Sequence, residues 1–531
     1  MPKSGTTYPK LPGPKLPSRR RTPLLSLALD RTSPVPLQQQ LYDQVREVIL
    51  AGGLAPGTRL PSSRALAGEL ACSRNTVVSA FDQLLSEGYL EGHAGSGTFV
   101  SRVLPEDLLG LAPARAATKQ APREAPPADS LALLSPRGRA LIGLRRIHLG
   151  PQRAFQPGVP ETDEFPFDVW ARLHSRIWRH PSSALLRIGM PAGLQVLREA
   201  IARYLATFRG LACDWRQVIV TAGAQQSLDL MIQLLLAPGD EAWVEDPGYP
   251  GLRGPLIAAG VTPVPVPLDG EGIRVDAGRH RAPAARAAIV TPTHHYPLGV
   301  PMSLSRRLAL LEWAQDSGAW ILEDDYDSEY RYAGRPLASL LGLASERRSG
   351  SADTVRVIYI GSFSKVLFPS IRVGYLVVPE SLVDAVSDAQ HALGAQPTAV
   401  IQPVLAAFIE EGHFATHVRR MRRLYAARQA ALRAAAERHL GDFLEVPPDD
   451  AGLHLVAWLK PPLAERLGDK GAAQLAAEAG VAVTPLSDYY AGPPAKGEAR
   501  RQGLLLGYAA VPEDEIERAA RRLAAAFREA I

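Results

Sequence analysis

Short apolar runs that end in polar residues recur along the last two thirds of the chain, separated by stretches with helical spacing. "QVIVTAG" leads into the helical stretch "AQQSLDLMIQLLLAPGD", and the alternation repeats in "EAWVEDPG", "AAIVTPTHH", "WILEDDYD" and "VRVIYIGSFS". Such alternation predicts βαβ units and a mostly parallel sheet. Ligands of these sheets bind beyond the carboxyl ends of the strands, where the polar residues of each run fall. From about residue 400 the sequence predicts a long basic helix, "FATHVRRMRRLYAARQAALRAAAERHL", and then a smaller α+β subdomain.

The N-terminal pattern is different and predicts three helices followed by a hairpin. Helical apolar spacing covers 37–51 and ends at two glycines, and a second helix follows with a serine of "PSSR" as its cap. "CSRNTVVSAFDQLLSEG" gives a third helix, with Ser73 at its N-cap and Gly88 just past its end. "YLEGHAGSGTFV" then indicates a β-hairpin with a glycine-rich tip. This order predicts a winged helix-turn-helix that binds DNA; a helical packing domain without DNA is the alternative.

Length and composition divide the chain into parts. Its 531 residues exceed one ordinary domain. No aromatic residue occurs between Phe99 and Phe155, and "LPEDLLGLAPARAATKQAPREAPPADS" within that gap is rich in alanine and proline. Such a segment buries too little apolar surface to fold alone and is typical of a linker. We predict a basic flexible arm at 1–35, a DNA-binding domain at 36–102, a linker at 103–135 and a large α/β domain at 136–531.

Charge and cysteine content narrow the functional class. The net charge is +5, and residues 1–100 supply +4 of it, with eleven Lys/Arg against seven Asp/Glu. The arm is therefore either a solvated tail or a source of sequence-independent phosphate contacts with DNA. Two cysteines in separate predicted domains argue against a disulfide framework or a zinc site and suit a reducing cytoplasm. No apolar run is long enough to cross a bilayer, and the N-terminus has no apolar core typical of a secretory signal.

The polar residues at the strand ends match the needs of pyridoxal 5′-phosphate (PLP). This cofactor needs a lysine for its Schiff base, an acid beside its pyridine nitrogen, a phosphate cup and an aromatic ring over its face. The candidates are Gly223, Ala224 and Gln225; Tyr249; His294, His295 and Tyr296; Glu323, Asp324, Asp325 and Asp327; and Ser362, Ser364, Lys365 and Arg372. Singly, each has another explanation: an ordinary βα turn, a tyrosine at the core edge, a metal site at the histidines, a Mg²⁺ site or solvated loop at the acids, or a surface lysine. Their order along the chain favours PLP.

The N-terminal region resembles the winged helix-turn-helix of the GntR family. The segments "G-x-x-P-G-x-x-L-P-S-S-R-x-L-A" and "S-R-N-T-V", within residues of about 37–101, carry the resemblance. It implies that polar side chains at the second and third helices meet phosphates or base edges, and that the hairpin tip is the wing. The implied DNA-binding residues are Arg59, Ser62, Arg64, Ser73, Arg74, Asn75, Thr76, Gly95, Ser96 and Thr98.

From about residue 150 to 531 the chain resembles fold-type I PLP enzymes of the aminotransferase class. Together with the GntR-like N-terminus, it resembles the MocR/GabR family of PLP-dependent transcriptional regulators. The resemblance implies that Lys365 forms the internal aldimine and that Asp324 pairs with the pyridine nitrogen. It further implies the following contacts: Tyr326 at the ring oxygen, Tyr249 stacked on the ring, and Ser362 with Arg372 at the phosphate.

Two positions depart from the aminotransferase pattern. Aminotransferases hold the substrate α-carboxylate with an arginine in a strand like "x-R-L-x-F", whereas "GLLLGYA" at 503–509 places Leu505 there; Arg501 fits only if the register slips. A partner-subunit tyrosine is expected in a stretch like "Y-x-x-P-x-G", but "IGMPAG" has Ile188. Loss of the charge-assisted hydrogen bonds, worth roughly 1.5–3 kcal/mol, disfavours efficient transamination of common amino acids.

Three functions stay open on the sequence. The first is a PLP-dependent regulator that senses PLP, an amine or an amino acid through Lys365. The second is a true aminotransferase with an accessory DNA-binding domain, which Leu505 and Ile188 disfavour. The third is a GntR-type regulator whose large domain has lost PLP and only dimerises, which the complete PLP set disfavours. We expect double-stranded DNA with paired half-sites, a homodimer with or without domain swapping, no metal, no membrane, and a bacterial cytoplasmic location, nucleoid-associated when DNA-bound.

Overall fold

A computed structural model gives the three-dimensional structure of the chain. It describes residues 27–93, 97–105, 133–142, 144, 153–186, 190–334, 337–347, 355–492 and 500–531. Most of the predicted arm and linker, the wing-tip residues Gly95 and Ser96, and Ile188 lie outside the described residues. The chain divides into two compact units, Met1–Pro127 and Ala128–Ile531.

The described residues of the first unit form three helices and a two-stranded hairpin, which confirms the predicted winged helix-turn-helix order. Its elements are α1 (Leu37–Leu50), α2 (Ser63–Glu69), α3 (Arg74–Ser86), β1 (Leu90–His93) and β2 (Gly97–Val100). The two strands pair antiparallel. Apolar residues at helical spacing on the three helices form one buried core, because each short helix has a single apolar face to cover.

Side-chain caps fix where the helices of this unit begin. Ser62 Oγ accepts a hydrogen bond from Ala65 N at 3.3 Å, so Ser62 rather than its neighbour caps α2. Ser73 Oγ accepts from Thr76 N at 3.1 Å at the start of α3, as predicted. Gly88 follows the end of α3 with a φ of +85°, a conformation that glycine adopts without strain.

The segment before α1 is part of this unit's packing. Ala28 N donates to Gln44 Oε1 at 3.0 Å, and Gln44 Nε2 donates back to Ala28 O at 2.8 Å. Leu27 and Leu29 pack, partly buried, against the helical core. Residues from 27 onward, which the sequence assigned to the arm, therefore lie against α1.

The second unit is built on an eight-stranded mixed sheet with the order β3-β10-β9-β8-β7-β4-β5-β6. Its strands are β3 (Val218–Thr221), β4 (Glu241–Asp246), β5 (Thr262–Asp269), β6 (Gly272–Ile273), β7 (Ala287–Val290), β8 (Trp320–Asp325), β9 (Val357–Ser362) and β10 (Gly374–Val377). Six strands, β3, β4, β5, β7, β8 and β9, run in one direction, and β6 and β10 run in the other. The predicted mostly parallel centre is confirmed.

Helices surround this sheet. They are α4 (Pro136–Ile142), α5 (Phe167–Trp178), α6 (Gln195–Tyr204), α7 (Ala224–Leu235), α8 (Arg253–Ala259), α9 (Val275–Arg281), α10 (Leu304–Ser317), α11 (Leu340–Glu346) and α12 (Val383–Ala392). Alternate residues of one strand belong to different cores: Val218 and Val220 lie in one cluster and Ile219 in the other. The sheet is therefore buried on both faces, which explains why its strands are continuous apolar runs.

A smaller subdomain follows the sheet. Two helices lead into it, α13 (Gln402–Glu410) and the long basic helix α14 (His413–Leu440), as predicted. An antiparallel sheet of order β11-β12-β14-β13 is flanked by three helices. Its elements are β11 (Leu444–Glu445), β12 (His454–Leu459), α15 (Pro461–Arg466), α16 (Gly468–Glu478), β13 (Thr484–Pro485), β14 (Gly503–Gly507) and α17 (Glu513–Ala530). Among the helices named here, none combines the length and the apolar content that a bilayer crossing requires.

A buried ion pair ties the sheet to the turn after α6. Arg209 Nη2 lies 2.6 Å from Asp325 Oδ2, and both side chains are less than one-twentieth exposed. Ser328 Oγ and Tyr359 OH donate to the same carboxylate oxygen. Removing the arginine would leave a buried carboxylate with no cation, which costs far more than losing an exposed pair.

We expect Arg209→Leu to lower the free energy of unfolding of the second unit by about 3 kcal/mol or more, because it strands the Asp325 carboxylate. Arg203→Leu is the matched control: Arg203 also lies 2.7 Å from an acid, Glu410, but both side chains are exposed. Its cost should be at most about 1 kcal/mol. All seven tryptophans lie in this unit, so urea titration followed by tryptophan fluorescence reports it alone. Equal losses in the two variants would contradict the role given to the buried pair.

Candidate functional site

The carboxyl edge of the large sheet brings the predicted PLP residues together. Lys365 follows β9, Asp324 lies at the end of β8, and Tyr249 follows β4. The charge of Asp324 interacts with Lys365 and raises the pKa of Tyr249, which the charge of Arg372 lowers. A Cβ added to Gly223 would lie 3.7 Å from an Arg372 guanidinium nitrogen. Residues far apart in sequence therefore surround one space, because parallel strands end at one edge.

Lys365 is half-buried at this edge. Its Nζ donates a hydrogen bond to Gly158 O at 2.5 Å. Burial lowers the pKa of Lys365 below its ordinary value, although Asp327 and Asp324 favour the ammonium form. A lowered pKa makes the neutral amine, which is the nucleophile in Schiff-base formation, easier to reach. Sequence reasoning missed Gly158, because nothing in "FQPGVP" marks it as a partner of the lysine.

Asp324 is buried, and its Oδ1 has no hydrogen-bond partner among the described residues. Burial raises the pKa of Asp324 to about 7, with Asp325 and Asp327 adding to the rise and Lys365 opposing it. An unpaired buried carboxylate oxygen costs free energy unless a donor reaches it. Asp324 Oδ1 can therefore accept a hydrogen bond from a ligand N–H, such as that of a pyridinium nitrogen.

The three other acids of the cluster have protein partners. Glu323 accepts two backbone N–H groups from the start of α11, at 2.8 and 3.1 Å. Asp325 pairs with Arg209, and Asp327 lies 2.8 Å from His294 Nδ1. All four acids are buried, so the cluster is not a solvated loop. Within the described ranges no group of three or more His, Cys, Asp or Glu residues is arranged to hold a metal ion.

The phosphate end of the predicted site lies at the N-terminus of α7. Gly223 has a φ of +111° there, and a Cβ added to Gly374 would lie 2.7 Å from the Cα of Gly223. Both positions therefore need glycine. Arg372 adopts a φ of +49°, which brings its guanidinium to Gly223. A helix N-terminus beside an arginine favours an anion such as a phosphate. The backbone of Ala224, the first residue of α7, belongs to the same turn.

Two serines on the loop after β9 complete this end. Ser362 Oγ accepts a hydrogen bond from Ser364 N at 3.2 Å, which shapes the turn before Lys365. Ser364 Oγ is buried and has no hydrogen-bond partner in the part of the chain that the structure describes. A hydroxyl in this state fits a ligand oxygen better than a purely structural role.

Tyr249 and Gln225 hold each other at the mouth of the site. Tyr249 OH donates to Gln225 Oε1 at 3.1 Å, and Gln225 Nε2 donates to Gly251 O at 2.8 Å. Burial raises the pKa of Tyr249 to about 12, so the phenol is neutral. The side chain of Gln225 therefore positions the tyrosine loop, which leaves only its backbone for the predicted phosphate contact.

The loop after β7 carries the remaining predicted residues. Tyr326 OH lies 3.0 Å from His294 Nδ1, and Tyr296 packs edge-on against the Tyr326 ring with centroids 5.6 Å apart. His295 is directed to Glu245, 3.5 Å away, and its Nδ1 accepts from a backbone amide. Burial lowers the pKa of His295 to about 3, so the ring is neutral and supports the loop.

Leu505 and Arg501 are the two residues that could occupy the position of the carboxylate-binding arginine. Leu505 is buried in β14 and packs with Val456, Leu486 and Tyr489, so an apolar wall stands at this position. Arg501 is exposed on the same subdomain, where it pairs with Glu445 and lies over a tryptophan ring. A shifted register therefore does not replace the missing arginine with Arg501.

The first unit presents polar residues at the start of α3. Arg74 and Asn75 are exposed, and Arg74 Nε donates to Ser63 Oγ at 3.4 Å. Arg64 on α2 is also exposed. Arg59 is exposed beside the wing, where its Nε lies 3.0 Å from a Cβ that would be added to Gly97. Helix caps use the side chains of Ser62 and Ser73, and the Thr76 hydroxyl is hydrogen-bonded to that of Ser73. Thr98 lies half-buried in β2.

Comparison with known proteins identifies both units. Residues 37–100 match the family described as bacterial regulatory proteins, gntR family. Residues 156–523 match the family described as aminotransferase class I and II. The same pair occurs in relatives aligned over nearly the whole chain. The protein named "Probable rhizopine catabolism regulatory protein MocR" of Rhizobium meliloti is 41% identical over 94% of this chain and 96% of its own length.

The chain belongs to the MocR/GabR family of PLP-dependent transcriptional regulators. A second relative, the HTH-type pyridoxine biosynthesis transcriptional regulator PdxR of Corynebacterium glutamicum, is 34% identical over 93% of this chain and 96% of that protein. Kynurenine aminotransferase of Pyrococcus horikoshii shares the fold of the second unit, with a TM-score of 0.65 and 25% identity over 76% of this chain and 98% of the enzyme. This MocR/GabR-type chain therefore carries an aminotransferase fold, and PLP dependence is a property of that family.

Without its cofactor, a MocR/GabR-type protein should be destabilised by Asp324 at alkaline pH. The pKa of Asp324 rises from an ordinary 3.8 to about 7 on folding, so stability falls as pH rises from 3.8 to 7 and stays low above it. We expect Asp324→Asn to raise the unfolding free energy of cofactor-free protein at pH 8.5 relative to its effect at pH 4. Asp327→Asn, which removes the partner of His294, should lower stability at pH 8.5. A gain from Asp324→Asn that does not depend on pH would contradict this assignment.

Proposed function

We propose that the protein binds PLP at Lys365 and uses it to sense an amine or PLP itself, with DNA binding by the first unit as the output. The observation that carries this proposal is the buried, unpartnered Oδ1 of Asp324 at the site of Lys365. A carboxylate kept in this state costs stability unless a cationic N–H reaches it. A protein that no longer bound the cofactor would gain stability if Asp324 were replaced by a neutral residue.

The residues present fit the cofactor. Lys365 would hold it covalently, Asp324 would accept the pyridinium N–H, and Tyr249 would cover the ring. Arg372 and Ser364 would hold the phosphate with the N-terminus of α7. When bound, PLP supplies an electrophilic carbon at which one amine can replace another. The chain's own residues then bind, orient and neutralise the ligand, and the low pKa of Lys365 favours its return to the free amine.

The apolar surroundings of Leu505 limit which effector molecules can bind. An α-amino acid would meet a buried leucine and phenol where aminotransferases place a guanidinium. Its carboxylate would lose solvation without gaining an ion pair, which is unfavourable. We therefore propose an amine without an α-carboxylate, or PLP itself, as the effector. The relatives named for rhizopine catabolism and for pyridoxine biosynthesis leave both classes open.

Assembly as a homodimer is part of the proposal. Met190, Leu393 and Val400 are exposed by 66%, 54% and 46%, unusual values for large apolar side chains. Their loops are neighbours, because Leu194 N donates to Gln402 Oε1 at 2.7 Å. A second copy of the chain would cover this apolar surface. Paired DNA-binding units in one dimer would suit paired half-sites on double-stranded DNA in a bacterial cytoplasm.

We expect protein incubated with PLP to acquire a visible absorption band that survives desalting, and Lys365→Ala to abolish it. The matched control is Lys460→Ala, because Lys460 is exposed on the small subdomain. Borohydride reduction followed by peptide mass spectrometry should place the phosphopyridoxyl group on the peptide that contains Lys365. A wild-type protein without the band, or a band unchanged in Lys365→Ala, would refute the cofactor proposal.

We expect Arg74→Ala to weaken binding to an operator fragment by about 5- to 150-fold, the loss of one arginine contact to DNA. The visible band should be unchanged, because Arg74 belongs to the other unit. Arg46→Ala is the control in the same unit: its guanidinium lies over the Tyr89 ring, 5.0 Å from the centroid. Fluorescence anisotropy at several salt concentrations measures both. Equal affinities for Arg74→Ala and wild type would contradict the assignment of α3 as the recognition helix.

A further inference from the structure

His294 has three polar partners that reach it from two different segments of the chain. Its Nδ1 lies 2.8 Å from Asp327 Oδ2 and 3.0 Å from Tyr326 OH, and its Nε2 lies 3.1 Å from Asp449 Oδ2. The imidazole itself is 3% exposed. Asp327 and Tyr326 follow β8, whereas Asp449 belongs to the loop before β12 in the small subdomain.

The three contacts determine which atoms carry hydrogens. Each ring nitrogen faces a carboxylate, so both must donate, and only the doubly protonated imidazolium can do so. An imidazolium has no acceptor site, so Tyr326 OH can only accept from it. The hydroxyl hydrogen of Tyr326 then points away from His294, and without a ligand its acceptor is the Asp327 carboxylate. Because Tyr326 keeps its proton, with a pKa well above the ordinary tyrosine value, it can donate to another acceptor.

Backbone packing holds the imidazole in this orientation. A Cβ on Gly452 would lie 2.3 Å from the His294 ring, and a Cβ on Gly299 would lie 2.1 Å from Asp449 Oδ2. Both glycines have positive φ values, +93° and +77°. Two loops therefore approach the ring and its carboxylate closely enough to exclude any side chain, and the ring cannot rotate away from its partners.

The loop that carries Asp449 is also the joint between the two sheets of this unit. Gly452 N donates to Tyr330 O at 3.0 Å, and Tyr332 N donates to Asp450 O at 2.7 Å. Tyr508 OH donates to Gly452 O at 2.8 Å. The segment after β8 and the loop 449–452 are thus hydrogen-bonded to each other directly. His294 adds a charged contact to this joint from the loop after β7.

We propose that His294 is a positioning residue that directs the Tyr326 hydroxyl towards the ring oxygen of the cofactor and ties that tyrosine to loop 449–452 of the small subdomain. The proposal rests on PLP binding at Lys365, as proposed above. A ligand that changes the hydrogen bonding of Tyr326 would then affect the joint between the sheets. The effect would pass through the hydrogen bonds of His294 to Tyr326 and to Asp449. No other residue within the described ranges contacts Tyr326, Asp327 and Asp449 together.

The two carboxylates beside the ring, Asp327 and Asp449, favour the imidazolium. Burial opposes the charge, but Asp327 and Asp449 raise the pKa of His294 to about 10. The neighbouring rings of His295 and His454 are neutral, since burial lowers their pKa values to about 3 and about 4. Asp327 also favours the ammonium form of Lys365, so it acts on both cations. The contribution of His294 to stability is therefore complete below pH 6.5 and is lost as pH rises towards 10.

Two neutral substitutions separate the two halves of the proposal. His294→Asn places an amide N–H near the Nδ1 position, so it can donate to Asp327 and Tyr326 but cannot reach Asp449. His294→Gln places its N–H near the Nε2 position, so it can reach Asp449, but it leaves no donor at Tyr326 OH to compete with the existing Tyr326–Asp327 hydrogen bond. Both variants lose the positive charge equally. Any difference between them therefore reports hydrogen-bond geometry rather than charge or overall packing.

Two measurements are made on full-length protein loaded with PLP. The first is the pH midpoint of the visible band. Without a donor on the ring oxygen, the imine proton is held more tightly, so the midpoint should rise by about one pH unit in His294→Gln. The rise should be smaller in His294→Asn. The second is hydrogen exchange of the Ala451 and Gly452 amides, which should be faster in His294→Asn than in His294→Gln.

His454→Gln is the matched control. His454 is a buried neutral histidine whose Nε2 lies 2.9 Å from Pro297 O, with its ring centroid 5.9 Å from that of His294. It should leave the band midpoint within about 0.2 pH unit of wild type, because it changes no contact of Tyr326. An equal midpoint in His294→Gln and His294→Asn, or loop exchange that is the same in both, would overturn the proposal.

Failure of the proposed function would look different. If wild-type protein shows no visible band with PLP, the cofactor proposal is wrong and Tyr326 has no ring oxygen to reach. The exchange measurement on cofactor-free protein still tests the link from His294 to loop 449–452. There, equal exchange in the two variants would overturn the link as well.

Discussion

The second unit depends on four carboxylates that are buried at the end of one strand. Glu323, Asp324 and Asp325 are consecutive in β8, and Asp327 follows two residues later. Side chains alternate between the faces of a strand, so Glu323 and Asp325 project to one side and Asp324 to the other. Each buried negative charge needs its own donor or cation, because an uncompensated one costs several kcal/mol. The helices and loops around β8 supply the donors and cations that these carboxylates require.

Each partner comes from a different element, which makes the site rigid before any ligand binds. Glu323 uses the first N–H groups of α11, Asp325 uses Arg209 after α6, and Asp327 uses His294 after β7. Asp449 then draws the small subdomain to the same point. Three carboxylates are thereby satisfied within the protein. Asp325 Oδ1 also has no hydrogen-bond partner among the described residues, but Asp325 is paired with Arg209 through Oδ2. Of the four acids, Asp324 is the one whose side chain has no protein partner within the described ranges, so its position suits a ligand donor.

Sequence reasoning predicted the features that depend on local pattern. The apolar runs gave the strands, Ser73 was identified as a cap, and the order of motifs gave both halves of the family. It did not predict the pairing of Asp325 with Arg209 or of His294 with Asp449, whose members lie 116 and 155 residues apart. No spacing rule connects such positions, because only the folded sheet brings them together. On the sequence, a Mg²⁺ site and a solvated loop therefore stayed open as alternatives to a cofactor-binding acid in this cluster.

The site's departures from an aminotransferase argue for sensing rather than turnover. A regulator needs a ligand to bind two conformations with different affinity, and it gains nothing from releasing product. Turnover of amino acids needs the carboxylate held by a guanidinium, and Leu505 lies within an apolar wall instead. The contacts that remain would hold the proposed cofactor and would connect it to the small subdomain through Tyr326, His294 and Asp449. Binding free energy at the ring can thus reach the joint between the sheets, which is where a change of conformation would begin.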